Sequence, residues 1–419
     1  REIRLFAGGG KDVIRVNLPA SPIRLRIVGG ENVKSYDIKK ARKKVDVYEN
    51  LDGDRFSDPA KGLHKHLSDD TLNTRKVFSD LYPGSGISPE VDLRSVDDLF
   101  LGLSYKIEKE GFRKEPFGSK QKITALHSLS AKSFIVKYQA DWKDIFKNTD
   151  LTVHALADMK GNIQNFFGRG NDTYFDRTGD FSTFYRVNFS FYKLEPAFKV
   201  DLTDKIGFSI GPSFQYFSRG TNTGRFIETP EMAASYSNLF EDKSHGGLFV
   251  NLSWDKRNNT LLPSKGINFS MRLHAYEGLN KNSGSFSQII PSFSFYKSLD
   301  EKGNIVIADR IGGAITFGET AFFQSAFLGS QDNLLGFRKY RFAGDHVLYN
   351  NLEARINLPD FLHYFLPGKI GIIGFYDAGR VWVKNEVSDT IHHGIGGGIY
   401  LAPFNRFFIR AVAGFSKER

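Results

Sequence analysis

The sequence predicts an all-β chain: a 16-stranded antiparallel transmembrane β-barrel, its last strand expected beyond residue 419, preceded by a small β-rich connector. Three observations predict it. From about residue 96, apolar and polar side chains alternate with period two, the spacing of a strand with two unlike faces. The alternating segments run near ten residues, longer than an ordinary soluble strand and long enough to cross a bilayer at a tilt. The connections between them alternate short and long, as in barrels with short periplasmic turns and long outer loops.

Composition agrees. The 419 residues contain 39 Phe and 17 Tyr against 3 Met, an aromatic weight unusual for a soluble enzyme. Cysteine is absent, which excludes disulfide frameworks, thiolate zinc sites and cysteine nucleophiles together. No apolar run is long enough for a transmembrane helix. The net charge of +10 is spread and interleaved with acidic residues, so no basic face marks nucleic acid as a partner. The opening "REIRLFAGGG" has no signal-peptide pattern, so a removed signal or a piece of a longer protein is expected.

Residues 1–38 are expected to form the connector. "RLFAGGGKDVI" (4–14) and "RLRIVGGENVK" (24–34) align at an offset of 20, with Gly9 and Gly10 over Gly29 and Gly30. Strand, Gly-Gly turn, strand at that period is how solenoid rungs read. The pattern resembles calcium-binding glycine/aspartate repeats, but only Asp12 and Asn32 stand at the acidic slot, and calcium is not expected. The polar residues 39–95 are expected to be a linker, and 96–419 the barrel.

Strands are expected near 97–107, 120–128, 133–143, 150–158, 183–192, 197–203, 206–217, 247–257, 267–276, 286–297, 305–317, 349–358, 369–382, 392–401 and 406–416. In 248–257, Leu248, Val250, Leu252 and Trp254 oppose Asn251, Ser253, Asp255 and Arg257, with Phe249 the exception. In 350–358, Leu352, Ala354 and Ile356 oppose Asn351, Glu353 and Arg355. The polar face repeats charged residues, as a wet lumen does, and Trp254, Tyr276, Tyr296, Tyr376 and Trp382 sit near strand ends as interface girdles do. Residues 159–182 fit no strand and are expected to be a long turn or a plug element.

Four motifs in order carry a resemblance to the BamA-like outer-membrane barrel superfamily, the bacterial surface antigen family. They are "WDKRNNTLLPSKG" (254–266), "LLGFRKYRFAGDHVLYNNLEARINL" (334–358), "GFYDAGRVW" (374–382) and "GIGGGIYLAPFNRFFIR" (394–410). Together they span about residues 250–416. In the first half, "FRKEPFG" (112–118), "NFFGRGND" (165–172) and "FYRVN" (184–188) look like barrels of Bacteroidetes that follow a metallophosphoesterase and a small β-rich connector. No metallophosphoesterase motif is present in these residues.

The resemblance implies site residues. Gly336, Phe337, Arg338, Arg341 and Asp345 would belong to the sixth outer loop, folded back into the lumen. Phe375, Asp377 and Gly379 would share the inward face of a lumen strand, with Tyr376, Ala378 and Trp382 toward lipid. Asp255, Arg257, Pro263 and Gly266 would form a periplasmic hairpin. The family pairs a loop-six arginine with the strand aspartate, a charge-assisted bond suited to a polar lumen. Here the arginine position is Leu335, so Arg338 or Arg341 is left to meet Asp377. The plain alternatives are solvated lumen charges, a local Asp255–Arg257 pair worth about 0–1 kcal/mol, and turn chemistry at Pro263 and Gly266.

No metal or cofactor is expected. His64 and His66 in "HKH", and the pair His392 and His393, lack an evident carboxylate set and are expected to be solvated. "GRGND" (168–172) is only superficially a phosphate loop, because no Lys-Ser/Thr follows it. No nucleophile–base pair marks an enzyme. The expected role is a bacterial outer-membrane anchor and translocator for an N-terminal domain outside this chain. The alternatives are an insertase for other barrels and a passive porin-like channel. Expected partners are outer-membrane lipid and lipopolysaccharide, and for the active roles unfolded protein cargo or other barrel-assembly subunits.

Overall fold

The computed structural model describes the chain apart from residues 1, 52–54, 57–62, 76–82, 94–98, 129–132, 147, 236–240, 331, 359–366, 405 and 419. It divides into two units, Arg1–Leu81 and Tyr82–Arg419.

The first unit is a parallel β-solenoid. Strands β1 (Glu2–Phe6), β3 (Arg24–Val28), β5 (Val45–Glu49) and β7 (Leu63–Leu67) form one sheet; β2 (Val13–Leu18), β4 (Ser35–Ala41) and β6 (Arg55–Phe56) form the other. Between them lie Val16, Ile27, Tyr36, Ile38, Val45 and Val47. The first rungs pair Arg4 with Arg26, two residues off the expected alignment of the repeat. The stack also continues past residue 38. The segment expected to be a linker contributes β4 to β7, because its alternating apolar residues fill the solenoid core. Lys34 is fully buried, and its ammonium donates to the carbonyls of Gly10, Glu31 and Asn32 at 3.2, 2.8 and 3.3 Å. These turns thus converge on a cation that the chain itself supplies.

The second unit is a fifteen-stranded antiparallel sheet in chain order. Its first strands are β8 (Gly84–Leu93), β9 (Leu99–Gly111), β10 (Lys114–Ser128), β11 (Phe134–Phe146) and β12 (Thr149–Asn165). They continue with β13 (Arg186–Asp201), β14 (Ile206–Arg219), β15 (Lys243–Asp255), β16 (Gly266–Gly278), β17 (Phe286–Ser298) and β18 (Ile305–Gly318). A short hairpin, β19 (Ala326–Leu328) and β20 (Phe342–Gly344), interrupts the order. The sheet resumes with β21 (His346–Asn357), β22 (Gly368–Trp382), β23 (His392–Pro403) and β24 (Ile409–Ser416). β8 and β24 are its two edges, with no pairing between them among the described residues.

The count of strands matches the expected fifteen, but three elements differ, the first being β12, which runs on to Asn165 into the stretch expected to hold no strand. β8 lies in the expected linker, where Gly84, Gly86 and Pro89 obscure its short alternating run. The segments 183–192 and 197–203, read as two strands, are one: Pro196 sits within β13 opposite Val153 and does not break it.

Burial is inverted relative to a soluble protein. Ile311, Ile315, Leu348, Leu352, Ile356, Ile372, Ile395 and Ile399 are exposed, while Glu195, Gln288, Arg355 and Asp377 are buried. An exposed apolar belt of this kind exceeds what soluble monomers carry and is the lipid face of a barrel. The opposite face of the same strands is a polar lumen.

Candidate functional site in the barrel lumen

The connection between β18 and β21 is the longest described loop whose tip returns to the strands. Its neck is closed by Asn333, whose Oδ1 accepts from Gly329 N–H at 2.8 Å and whose Nδ2 donates to Phe327 O at 2.8 Å. Gly329 and Gly336 have φ of 140° and 93°, which favour glycine.

Beyond this neck, residues 332–336 run across the strands. Strand register places Arg310, Asn351, Asp377, Gly394 and Ser416 in one row over β18, β21, β22, β23 and β24. The loop backbone meets that row almost residue by residue. Arg310 donates to Asp332 O. Asn351 Nδ2 donates to Asn333 O at 2.8 Å, and Leu335 N–H donates to Asp377 Oδ2 at 2.8 Å. Ser416 Oγ donates to Gly336 O at 2.8 Å. Gly394 is the gap in the row: a Cβ there would stand 2.0 Å from Leu335 O, and one on Gly414 would stand 2.7 Å from Gly336 N. Glycine is what lets the loop backbone lie on the sheet.

Asp377 is thus met by loop six, but by a main-chain N–H and not a guanidinium. Neither arginine left open by the sequence reaches it. Arg338 lies over the rings of Phe175 and Phe181, 5.6 and 4.9 Å from their centroids. Arg341 is buried; its Nη1 and Nη2 donate to Thr173 Oγ1 and O at 2.6 and 2.7 Å, and its Nε to Glu418 at 2.5 Å. Phe337 packs edge-on against Phe342 and His392. Asp345 pairs with Arg169 and accepts from Lys384 N–H at 3.1 Å.

Phe375 and Asp377 are buried on the lumen face of β22, and Tyr376 and Trp382 are exposed on the other. A Cβ on Gly379 would stand 2.8 Å from Leu328 Cδ1, so this glycine makes room for the loop-six hairpin.

The segment between β12 and β13 is a second brace; it lies in the stretch expected to be a long turn or a plug element, though none of its residues was named as a site residue. Gly170 N–H donates to Ala343 O at 2.8 Å. Asn171, 3% exposed, exchanges hydrogen bonds with the Val381 backbone at 2.7 and 3.0 Å, and its own N–H reaches Glu386 at 2.7 Å. The signal was present in "GRGND": Gly168 and Gly170, both at positive φ, turn the chain so that Arg169 and Asn171 point into these contacts.

On the other side of the barrel, the hairpin 256–265 is organised by Asn258, whose Oδ1 accepts from Ser264 and Lys265 N–H at 3.0 Å each. Asp255 holds Arg257 through both oxygens, at 2.9 and 2.6 Å. Gly266, at φ 111°, is turn chemistry. Pro263 O accepts from Arg355 Nη2 at 2.7 Å, tying the hairpin to β21, three strands from β16. Among the histidines, His392 stacks on Phe342 at 3.6 Å and His393 bonds Tyr376 at 2.7 Å, so they are separate. His64 and His66 do meet a carboxylate, Asp46, which corrects the expectation that they lack one.

Comparison with known proteins agrees with this geometry. Residues 241–402 match the Omp85 superfamily domain. No curated protein matches the chain. Among solved structures, BamA from Haemophilus ducreyi lacking POTRA domains 1–3 is similar at TM-score 0.59 and 13% identity, covering 86% of this chain and 73% of that one. CdiB from Escherichia coli is similar at TM-score 0.50 and 11% identity, over 80% of this chain and 58% of its own length. The motifs, the inward loop and the inverted burial converge with these matches: the chain is a bacterial outer-membrane β-barrel with a fold similar to that of BamA, and its residues 241–402 are an Omp85 superfamily domain.

Proposed function

We propose that this barrel is the membrane anchor and translocator of an N-terminal domain outside residues 1–419. The observation that carries it is the loop-six tip, which covers the inner face of β22 to β24 and ends at the edge strand. It is held by a handful of single hydrogen bonds, each worth about 1 kcal/mol net, so it closes the lumen and can still be released. The brace from 168–172 adds to that closure. A passive porin-like channel fits less well, because both segments occupy inward-facing positions. The insertase reading is the alternative: strand edges exposed on releasing the loop can template an incoming strand.

The chain has no cysteine, so one engineered pair is unambiguous. Phe337→Cys with His392→Cys, whose rings stand 5.7 Å apart, locks the loop to β23. In a translocator, the oxidised pair abolishes surface exposure of the N-terminal domain, read by protease on intact cells, and reduction restores it. Unchanged exposure in the locked state refutes translocation through loop release. Loss of unrelated outer-membrane barrels on locking identifies the insertase instead.

A further inference from the structure

We propose that the last rung of the solenoid carries a divalent transition-metal site, built from Asp46, His64 and His66 and suited to Zn2+. Among the described residues this is the one group of three such side chains whose donor atoms converge, all within 4.8 Å of one another.

The fold brings them together by register. β5 and β7 are parallel neighbours, about 4.8 Å apart, and Asp46 stands directly opposite His64. His66 is two residues on, so it shares the face of His64. The Asp46 carboxylate is almost wholly buried and is split between two tasks. Its Oδ2 accepts from Arg24 Nε at 2.7 Å, which fixes its orientation. Its Oδ1 is turned to both imidazoles, 3.2 Å from His66 Nε2 and 3.6 Å from His64 Nδ1.

Hydrogen bonding accounts for only part of this. The His66 contact is a hydrogen bond, but 3.6 Å is too long for one to His64. Both separations lie close to the roughly 3.4 Å edge of a tetrahedron with metal–ligand bonds of about 2.1 Å. The His66 ring is held by a parallel stack on Tyr48, at 4.4 Å. Tyr48 is in turn bonded to Arg26 at 2.6 Å. This is the outer support that ligating side chains need.

The donor set selects the ion. Two imidazoles and one carboxylate suit Zn2+, Co2+, Ni2+ or Cu2+, whereas Ca2+ and Mg2+ take oxygen sets. Both histidines are exposed on one side, which leaves a coordination position for water. Lys44 Nζ stands 3.0 Å from His64 Nε2. Binding through Nδ1 places the proton on Nε2, so this exposed lysine has to swing away. Together with Arg24 it lowers affinity, and a site in the micromolar range is expected. A bound ion ties β5 to β7 through side chains, independently of the strand ladder.

The test is calorimetric titration of the tag-free, detergent-purified chain with ZnCl2 at neutral pH. One Zn2+ per chain is expected, with Ca2+ giving no heat. His64→Ala and His66→Ala each weaken binding by about tenfold or more, as loss of one of three ligands should, while His393→Ala does not. Co2+ in place of Zn2+ gives visible ligand-field bands that vanish in either variant. Should a variant misfold, His64→Gln and His66→Gln, with circular dichroism matching the parent, replace it. Absence of Zn2+ binding at millimolar metal, or binding unchanged in the double variant, overturns the proposal and leaves Asp46 as an ion-pair partner only.

Discussion

The main-chain N–H of Leu335 donates to Asp377 Oδ2 at 2.8 Å, so the loop-six contact with the lumen aspartate does not need a basic side chain. Residue 335 then needs its N–H and an apolar side chain that packs against the cluster of Ile373, Phe375 and Tyr400, not a charge. Leu335→Met is expected to leave loop six as protease-resistant as the parent. Leu335→Pro and Asp377→Ala remove donor and acceptor, each costing about 1–3 kcal/mol for the partner left unpaired, and speed cleavage at Arg338 and Lys339. Arg338→Ala, whose side chain faces aromatic rings, should not change the exposure of Leu335. Equal cleavage of Asp377→Ala and the parent would remove Asp377 from the anchor.

Gly394 gives a steric test of the same contact. Its missing Cβ is filled by Leu335 O, 2.0 Å from where that carbon would be. Gly394→Ala must therefore push the loop tip off β23, with a cost of the overpacking kind, about 1–3 kcal/mol. Gly374→Ala, with nothing within 4 Å of its Cβ, is the matched control. Hydrogen–deuterium exchange should rise across 332–337 in the first variant and not in the second. A rise in both, or in neither, would show that the row of inward residues does not hold the loop.

How much of this was legible follows from the kind of signal. The lipid and lumen faces of β15, β21 and β22 follow from period-two alternation, which is local and repeats over many residues. β8 was missed although Ile87, Pro89 and Val91 alternate with Ser88, Glu90 and Asp92, because two glycines and a proline interrupt so short a run; its partner β9 supplies the pairing. Gly-Gly turns point to solenoid rungs over 4–34 but not to their extent, since β5 is only five residues long and its outward residues are buried as well. Within the site, Asp377 and the loop could be found from motifs, but its donor could not. A backbone N–H leaves no trace in residue identity, and the search for a guanidinium pointed to Arg338 and Arg341. The Asp46–His64 proximity is likewise set by register between rungs, which the offset of 20 between the repeats does not reveal.

Arg341 offers a test of the brace between loops. Buried between the rings of Phe167 and Phe342, it reaches Thr173 and Glu418 at once. Arg341→Lys keeps the charge but cannot present the same fork of donors, so it should behave nearly as Arg341→Ala. Both are expected to raise exchange in 171–175 as well as in 338–344. Thr173→Val removes one acceptor and should give a smaller rise, confined to the first segment. If Arg341→Ala loosens loop six alone, the two loops are not coupled through this residue.

The hairpin 256–265 makes a separable prediction, because its internal order and its attachment rest on different residues. Asn258 shapes the turn by accepting from Ser264 and Lys265. Arg355 attaches it, donating to Pro263 O while Nε lies 3.2 Å from Glu353. Arg355→Met keeps much of the volume and loses the hydrogen bond, leaving the Pro263 carbonyl unpaired at a cost of about 1–3 kcal/mol. Trypsin should then cut faster after Lys256, Arg257 and Lys265, while Ser264 and Lys265 amides stay as protected as before. Asn258→Ala should do the reverse, exposing those two amides first. If Arg355→Met resists trypsin like the parent, packing of Leu262 against Tyr400 and its neighbours holds the hairpin, and the Arg355 bond is incidental.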